Sequence, residues 1–209
     1  MQHDGYVQYG CGLTAPVSWT NFDASPTLRL QRVPLFGFWL TRNGPRFPAN
    51  VHYGDIVKGL PIAPESCAAI YCSHILEHLA LDQLRRALVN TCGYLKHGGV
   101  FRCVLPDLER LVSDYSSSQE ELRAMRFMEQ SHLGYQSRPS GIPGFVREWL
   151  GNSRHLWMWD YHSLVVELKT AGFAMIRRAH FGDSDFACFE AIEDNERWEN
   201  GLGIECRKA

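Results

Sequence analysis

Short apolar runs closed by small or polar residues recur along the chain. Tyr6–Tyr9 leads into Gly10-Cys11-Gly12, Trp19–Phe22 ends at Asp23, and Val51–Tyr53 ends at Gly54-Asp55. Ala68–Cys72 ends at Ser73-His74, and Val100–Leu105 ends at Pro106-Asp107. Each run has the pattern of a strand buried on both faces. Between the fourth and fifth runs, Leu84, Leu88, Cys92 and Leu95 share one helical face, with Asp82 as the expected N-cap and His97-Gly98-Gly99 as the stop. A second helix is expected from about Tyr161 to Ala171, capped by Asp160 and stopped by Gly172, with a strand at Phe173–Ala179 after it. The last expected strand, Gly203–Arg207, follows a polar stretch in which Phe186–Phe189 also has extended character.

Strands alternating with helices predict a parallel sheet with right-handed crossovers. The chain closes on two strand-like segments with no clear helix between them, which places one antiparallel strand in that sheet. Residues 108–158 break the alternation: Glu109–Tyr115 and Gln119–Leu133 are expected to be helical, and Gly134–Gly144 is a Pro-, Gly- and Ser-rich loop. An insertion after the fifth strand sits at the carboxyl edge of the sheet, where open α/β folds bind ligands, so a lid is expected there. A plain surface excursion is the other reading.

Composition narrows the choice. The 209 residues, 45% hydrophobic and 21% charged, suit one globular domain spanning 1–209. A formal net charge of −2 without like-charged blocks gives nucleic-acid binding no electrostatic support. The apolar run Val33–Leu40 is too short for a bilayer, and no signal segment is read at the amino terminus. Seven cysteines without a C-x-x-C pair, several of them in apolar surroundings, point to a reduced, cytoplasmic setting. No internal repeat is visible.

The chemistry gathers at the strand ends. Gly10-x-Gly12, Asp23, Asp55 and Ser73-His74 close four successive strands. Taken singly, each is as readily a turn or a cap. Together they suit a nucleoside carrying an amino-acid tail: glycines admit close approach, Asp23 can accept from both ribose hydroxyls, and Asp55 from an adenine amino group with Ile56 against the ring. A dinucleotide is disfavoured, because only about seven residues join Gly12 to the next strand, too few for a phosphate-binding helix.

The segments "YGCG…TNFDAS", "YGDIVKGLPI", "AAIYCSHILEHL", "LVNTCGYLKHGGVFRCVLPDLERL" and "AGFAMI" resemble the successive motifs of class I S-adenosylmethionine-dependent methyltransferases. The resemblance is strongest to small members with an H-x-L-E-H segment after strand four, and it covers nearly the whole chain. It implies a Rossmann-like, mostly parallel seven-stranded sheet whose last strand is antiparallel. It also implies that Gly10, Cys11 and Gly12 face the methionine part of S-adenosylmethionine, Asp23 the ribose, Asp55 and Ile56 the adenine, and Ser73 and His74 the sulfonium and substrate. Two departures stand out: the first motif lacks further glycines and a following helix, and residues 24–50 carry four prolines where a helix is common. One sheet face is therefore expected to be short of helices, which leaves room for self-association.

"HILEH" at His74–His78 has the H-x-x-E-H order of inverted zinc peptidases, which place both histidines on one helix. Here His74 directly follows a strand and the capped helix starts later, so no metal is expected; Glu77 and His78 are read as residues that orient the turn. Trp157, Trp159 and Tyr161 alternate after His155 and either line an acceptor pocket or pack as a strand on the core. The expected function is methyl transfer to oxygen or nitrogen of a small molecule or glycan precursor. His74 is the first candidate for a general base, followed by His155 and Asp107. The alternatives are a non-catalytic binding protein of the same fold and a zinc metallohydrolase.

Overall fold

The computed structural model describes residues 5–33, 46–134 and 154–209. Their strands are β1 (Tyr6–Tyr9), β2 (Thr20–Asp23), β3 (Val51–Tyr53), β4 (Cys67–Ser73), β5 (Leu95–Pro106), β6 (Phe173–Ala179) and β7 (Gly201–Lys208). They form one seven-stranded sheet in the order β3-β2-β1-β4-β5-β7-β6. The pairs β3–β2, β2–β1, β1–β4 and β4–β5 are parallel, whereas β7 runs antiparallel to both β5 and β6. The expected mixed sheet is therefore present. The strand order reverses between β1 and β4, which opens a crevice at the carboxyl edge.

The helices are α1 (Pro26–Gln31), α2 (Leu81–Tyr94), α3 (Leu108–Ser117), α4 (Arg123–Gln130), α5 (Tyr161–Thr170) and α6 (Asn195–Trp198). One sheet face is well covered: Leu84 and Leu88 of α2 and Leu164 and Leu168 of α5 pack on Val7, Tyr9, Ile70, Cys72, Phe101 and Cys103. The other face has no long helix among the described residues. Trp19, Phe189, Ile192 and Trp198, from loops, a 3-10 turn and the short α6, cover Tyr71, Val100 and Val104 instead. Large aromatic rings bury enough area to do there what a helix does elsewhere.

Several local expectations change. Asp82 does not cap α2; Ala80 precedes the helix, its N–H donating to Gln83 Oε1 at 3.1 Å, while Asp82 pairs with Arg86 one turn on at 2.8 Å. His97-Gly98-Gly99 lies within β5, because Leu95 already pairs with Cys67; the register then jumps to Ala69↔Val100, and left-handed Gly98 (φ 73°) lies in the extra loop. The stretch around Phe186–Phe189 is a 3-10 turn, Ala187–Ala191, and not an extended segment. Helix α5 is capped by the Asp160 side chain as expected, and left-handed Gly172 (φ 100°) follows its end. Most of the Gly134–Gly144 loop and of the Val33–Leu40 run lies outside the described residues. Among the described residues no helix is long and apolar enough to cross a membrane, and all seven cysteines are free.

Candidate functional site

The parallel strands bring their carboxyl ends to one edge in the spatial order Asp55, Asp23, Gly10–Gly12, Ser73-His74 and Asp107. The first three positions are tied together. Gly12 N donates to Asp23 Oδ2 at 2.9 Å, Ser25 N donates to Asp23 Oδ1 at 2.7 Å, and Gly54 N donates to the Asp23 carbonyl at 3.1 Å. A carboxylate has about four acceptor positions, so each Asp23 oxygen keeps a lone pair after these bonds. Gly10 and Gly12 are both left-handed, at φ 67° and 54°. A side chain at Gly10 would collide with Ile75, whose Cδ1 lies 2.0 Å from the position of an added Cβ; at Gly12 the same position faces open space. Asp55 Oδ1 accepts from Val57 N at 3.0 Å and its Oδ2 pairs with Lys58 at 3.1 Å. The adjoining Ile56 is buried, and its carbonyl accepts from Asn90 of α2 at 2.7 Å.

Cys11 is oriented differently from its neighbours. Its side chain is buried with Leu28 and Val51, and burial, followed by the Asp23 carboxylate, pushes its thiol up to about 12.

His74 follows β4 in a left-handed conformation, φ 53°. Its Nε2 lies 2.8 Å from the Arg197 carbonyl of α6, and its Nδ1 lies 3.2 Å from Glu77 Oε1. Both partners are acceptors. Burial alone would lower the His74 pKa, but the hydrogen bonds to Glu77 and Arg197 outweigh it and raise it above the ordinary histidine value. Both ring nitrogens already face acceptors, Glu77 and the Arg197 carbonyl, an arrangement that speaks against His74 as the general base. Ser73, just before it, is buried, and its carbonyl accepts from Arg197 Nη2 at 3.1 Å.

Glu77 is the hub of the turn Leu76–His78, 1% exposed. Its carbonyl accepts from Leu156 N at 2.7 Å and Trp157 N at 3.2 Å, so the segment returning from the insertion is held against the end of β4. His155 therefore lies beside Glu77 and His78, and burial lowers its pKa. Asp107 caps α3, accepting from Glu109 N at 2.9 Å, and pairs with Arg178 at 3.3 Å.

The three aromatic candidates separate. Trp159 is 2% exposed and belongs to the core, with a bridge to Asp107, which corrects its reading as a pocket wall. Trp157 is 43% exposed, with its ring 6.0 Å from that of Trp159. Tyr161 packs against the core at the start of α5, and the Arg178 guanidinium lies 4.8 Å from its ring centre. Apart from these residues, a cavity of about 320 Å³ lies between α3 and α4, lined by Arg110, Asp114, Tyr115, Arg123 and Phe127 among others.

No family model matches the sequence, and no curated protein matches it. Solved structures do match. An S-adenosylmethionine-dependent methyltransferase from Thermotoga maritima is 15% identical and superposes with a TM-score of 0.51 over 98% of this chain and 82% of its own. One from Mesorhizobium loti is 15% identical, with a TM-score of 0.50 over 100% and 93%. PigF, solved with S-adenosylhomocysteine, is 16% identical, with a TM-score of 0.51 over 100% of this chain and 51% of its own. The fold is that of S-adenosylmethionine-dependent methyltransferases.

Within the methyltransferase fold, two contributors went unread in the sequence. Arg197 reaches the end of β4 from the short α6, and nothing in "DNERWEN" marks it. His132, two residues beyond α4, has its ring 5.0 Å from that of His155, a proximity that only the folded chain creates.

Proposed function

We propose that this protein is an S-adenosylmethionine-dependent methyltransferase acting on oxygen or nitrogen of a small-molecule or glycan-precursor acceptor. The observation that carries the reading is the bond from Gly12 N to the Asp23 carboxylate, which joins the tips of β1 and β2 beside the sheet's switch point. Asp23 has two oxygens with lone pairs to spare for two ribose hydroxyls. The open space over Gly12 suits the methionine part, and Asp55 with Ile56 stands one strand further out for the adenine. PigF, of the same fold, was solved with S-adenosylhomocysteine, which supports this choice of ligand.

When bound, the cofactor supplies a methyl group on a sulfonium centre. The chain's own contribution is alignment, holding an acceptor atom in line at attack distance. His74, engaged on both nitrogens, fixes the turn after β4 and carries no proton away. An amine acceptor that attacks in its neutral form needs only that positioning. For a hydroxyl acceptor, Asp107 is the base to test. The exposed Trp157 offers a flat surface to the acceptor, and α3 and α4, which bury no residue of their own, serve as the lid.

Calorimetry with S-adenosylhomocysteine tests the cofactor reading. Binding is expected, with NAD and ATP far weaker, and Asp23→Asn is expected to weaken it by about 5- to 150-fold, the equivalent of roughly 1–3 kcal/mol. No heat at high ligand concentration from folded protein would overturn the assignment.

A further inference from the structure

We propose that Glu77, His78 and His155 form a site for a divalent transition-metal ion of the zinc type, joining the turn after β4 to the segment that returns from the insertion. The three side chains each offer a donor atom, and these lie within 4.8 Å of one another. The Nε2 atoms of His78 and His155 stand 4.0 and 3.9 Å from Glu77 Oε1. Ligands about 2.0–2.1 Å from a tetrahedral ion are roughly 3.4 Å apart, so the two Glu77 pairs must close by about half an ångström and the widest pair of the set by up to about 1.4 Å, which side-chain rotation supplies.

Part of the second-sphere geometry is already present, at His78. His78 Nδ1 lies 2.7 Å from the Arg154 carbonyl and donates to it, which leaves the Nε2 lone pair on the side of Glu77. A histidine ligand is commonly oriented by such a bond from its other ring nitrogen. The two bonds from Leu156 and Trp157 to the Glu77 carbonyl hold the backbone of both halves in place.

An independent observation points to a ligand. Glu77 Oε2 is buried without a hydrogen-bond partner. A buried carboxylate oxygen left unpaired is costly, and a cation removes that cost. Two imidazoles with one carboxylate favour zinc-like ions over magnesium or calcium, which prefer all-oxygen sets.

The site differs from the peptidase pattern that the sequence suggested. His74, the first histidine of H-x-x-E-H, turns to the Arg197 carbonyl, and His155 stands in its place from far along the chain. The expectation of no metal rested on the local segment, where that third ligand is invisible.

The test uses the full chain without a histidine tag, stripped by chelator and titrated with Co²⁺. One equivalent is expected to bind, with the d–d bands of nitrogen and oxygen ligands and no thiolate charge-transfer band. Zn²⁺ should displace it and raise the melting temperature, and Mg²⁺ should do neither. Glu77→Gln and His155→Gln should each lower affinity by more than about 100-fold, since loss of a mere outer-sphere partner already costs 10- to 100-fold. His162→Ala, which changes a histidine outside the set, should leave it within a few-fold. Circular dichroism establishes that each variant is folded, and Glu77→Gln, nearly isosteric, covers the case in which His155→Gln fails to fold. Absence of Co²⁺ binding, binding through cysteine thiolates, or affinity unchanged in a folded Glu77→Gln protein would each overturn the proposal and leave a hydrogen-bonded histidine cluster.

Discussion

Arg102 on β5 and Glu205 on β7 occupy directly opposed positions of an antiparallel pair, and Arg102 Nη1 donates to Glu205 Oε2 at 3.0 Å. Arg102 is 0% exposed, on the face that lacks long helices. Its remaining donors reach Glu193, Asp183 at 2.9 Å and the His180 carbonyl at 2.6 Å, and Trp198 lies 4.4 Å from its guanidinium carbon. One buried cation thus gathers the β6–β7 connector over the sheet. Removing it strands several carboxylates. Arg102→Ala is expected to cost about 3–5 kcal/mol, read as a fall of roughly 10 °C in melting temperature. A loss under about 1 kcal/mol would show that the connector is held by its aromatic residues alone.

The same network sets an acid response. Burial would raise the Asp183 pKa, but hydrogen bonds from Arg177, the His180 backbone and Arg102 hold it at about 2, below its ordinary value of 3.8. A carboxylate depressed in the folded state adds stability that is complete above the unfolded value and lost as pH falls through the folded one. The wild-type protein should therefore lose this contribution between about pH 4 and pH 2. Urea unfolding should show Asp183→Asn less stable than wild type at neutral pH, with the gap narrowing across that window. A gap independent of pH would contradict the ion-pair account.

His74→Asn separates a structural histidine from a catalytic one. Asparagine tolerates the left-handed backbone at this position, but it cannot donate to Glu77 and Arg197 as the ring does. Stability is expected to fall by about 1–3 kcal/mol, while single-turnover methyl transfer per bound cofactor stays within a few-fold. A drop of roughly 10²–10⁴ in that rate with cofactor affinity intact would restore His74 as the base.

Trp157 and Trp159 should respond in opposite ways. Trp159→Ala empties a core position and should cost about 3–5 kcal/mol. Trp157→Ala should change stability by no more than about 0.5 kcal/mol and raise KM for the acceptor. Equal loss of stability in both would assign the pair to packing and take Trp157 out of the acceptor site.

The strand tips were legible because their signals are local. Val51–Tyr53 and Phe173–Ala179 are apolar runs with turn residues at their ends, and both strands keep those limits in the structure. Gly10, Gly12, Asp23 and Asp55 follow from the same logic, since a parallel sheet places every strand's carboxyl end on one edge. Helix ends were less legible. Asp82 looked like a cap, but Arg86 one turn further on competes for its carboxylate, and Gln83 serves the preceding N–H.

By itself the sequence determined the mixed sheet, the residues that close its strands and the shortage of helices on one face. It did so because strand burial, turn residues and connection lengths act over a few positions. Only the tertiary structure decided the hydrogen-bond partners of His74, the company of Glu77 and the partners of Arg102. Each depends on residues distant in the chain: Arg197 for His74, His155 for Glu77, and Asp183, Glu193 and Glu205 for Arg102. No local periodicity encodes such meetings, because a buried polar group takes whatever partner the packed chain delivers to it.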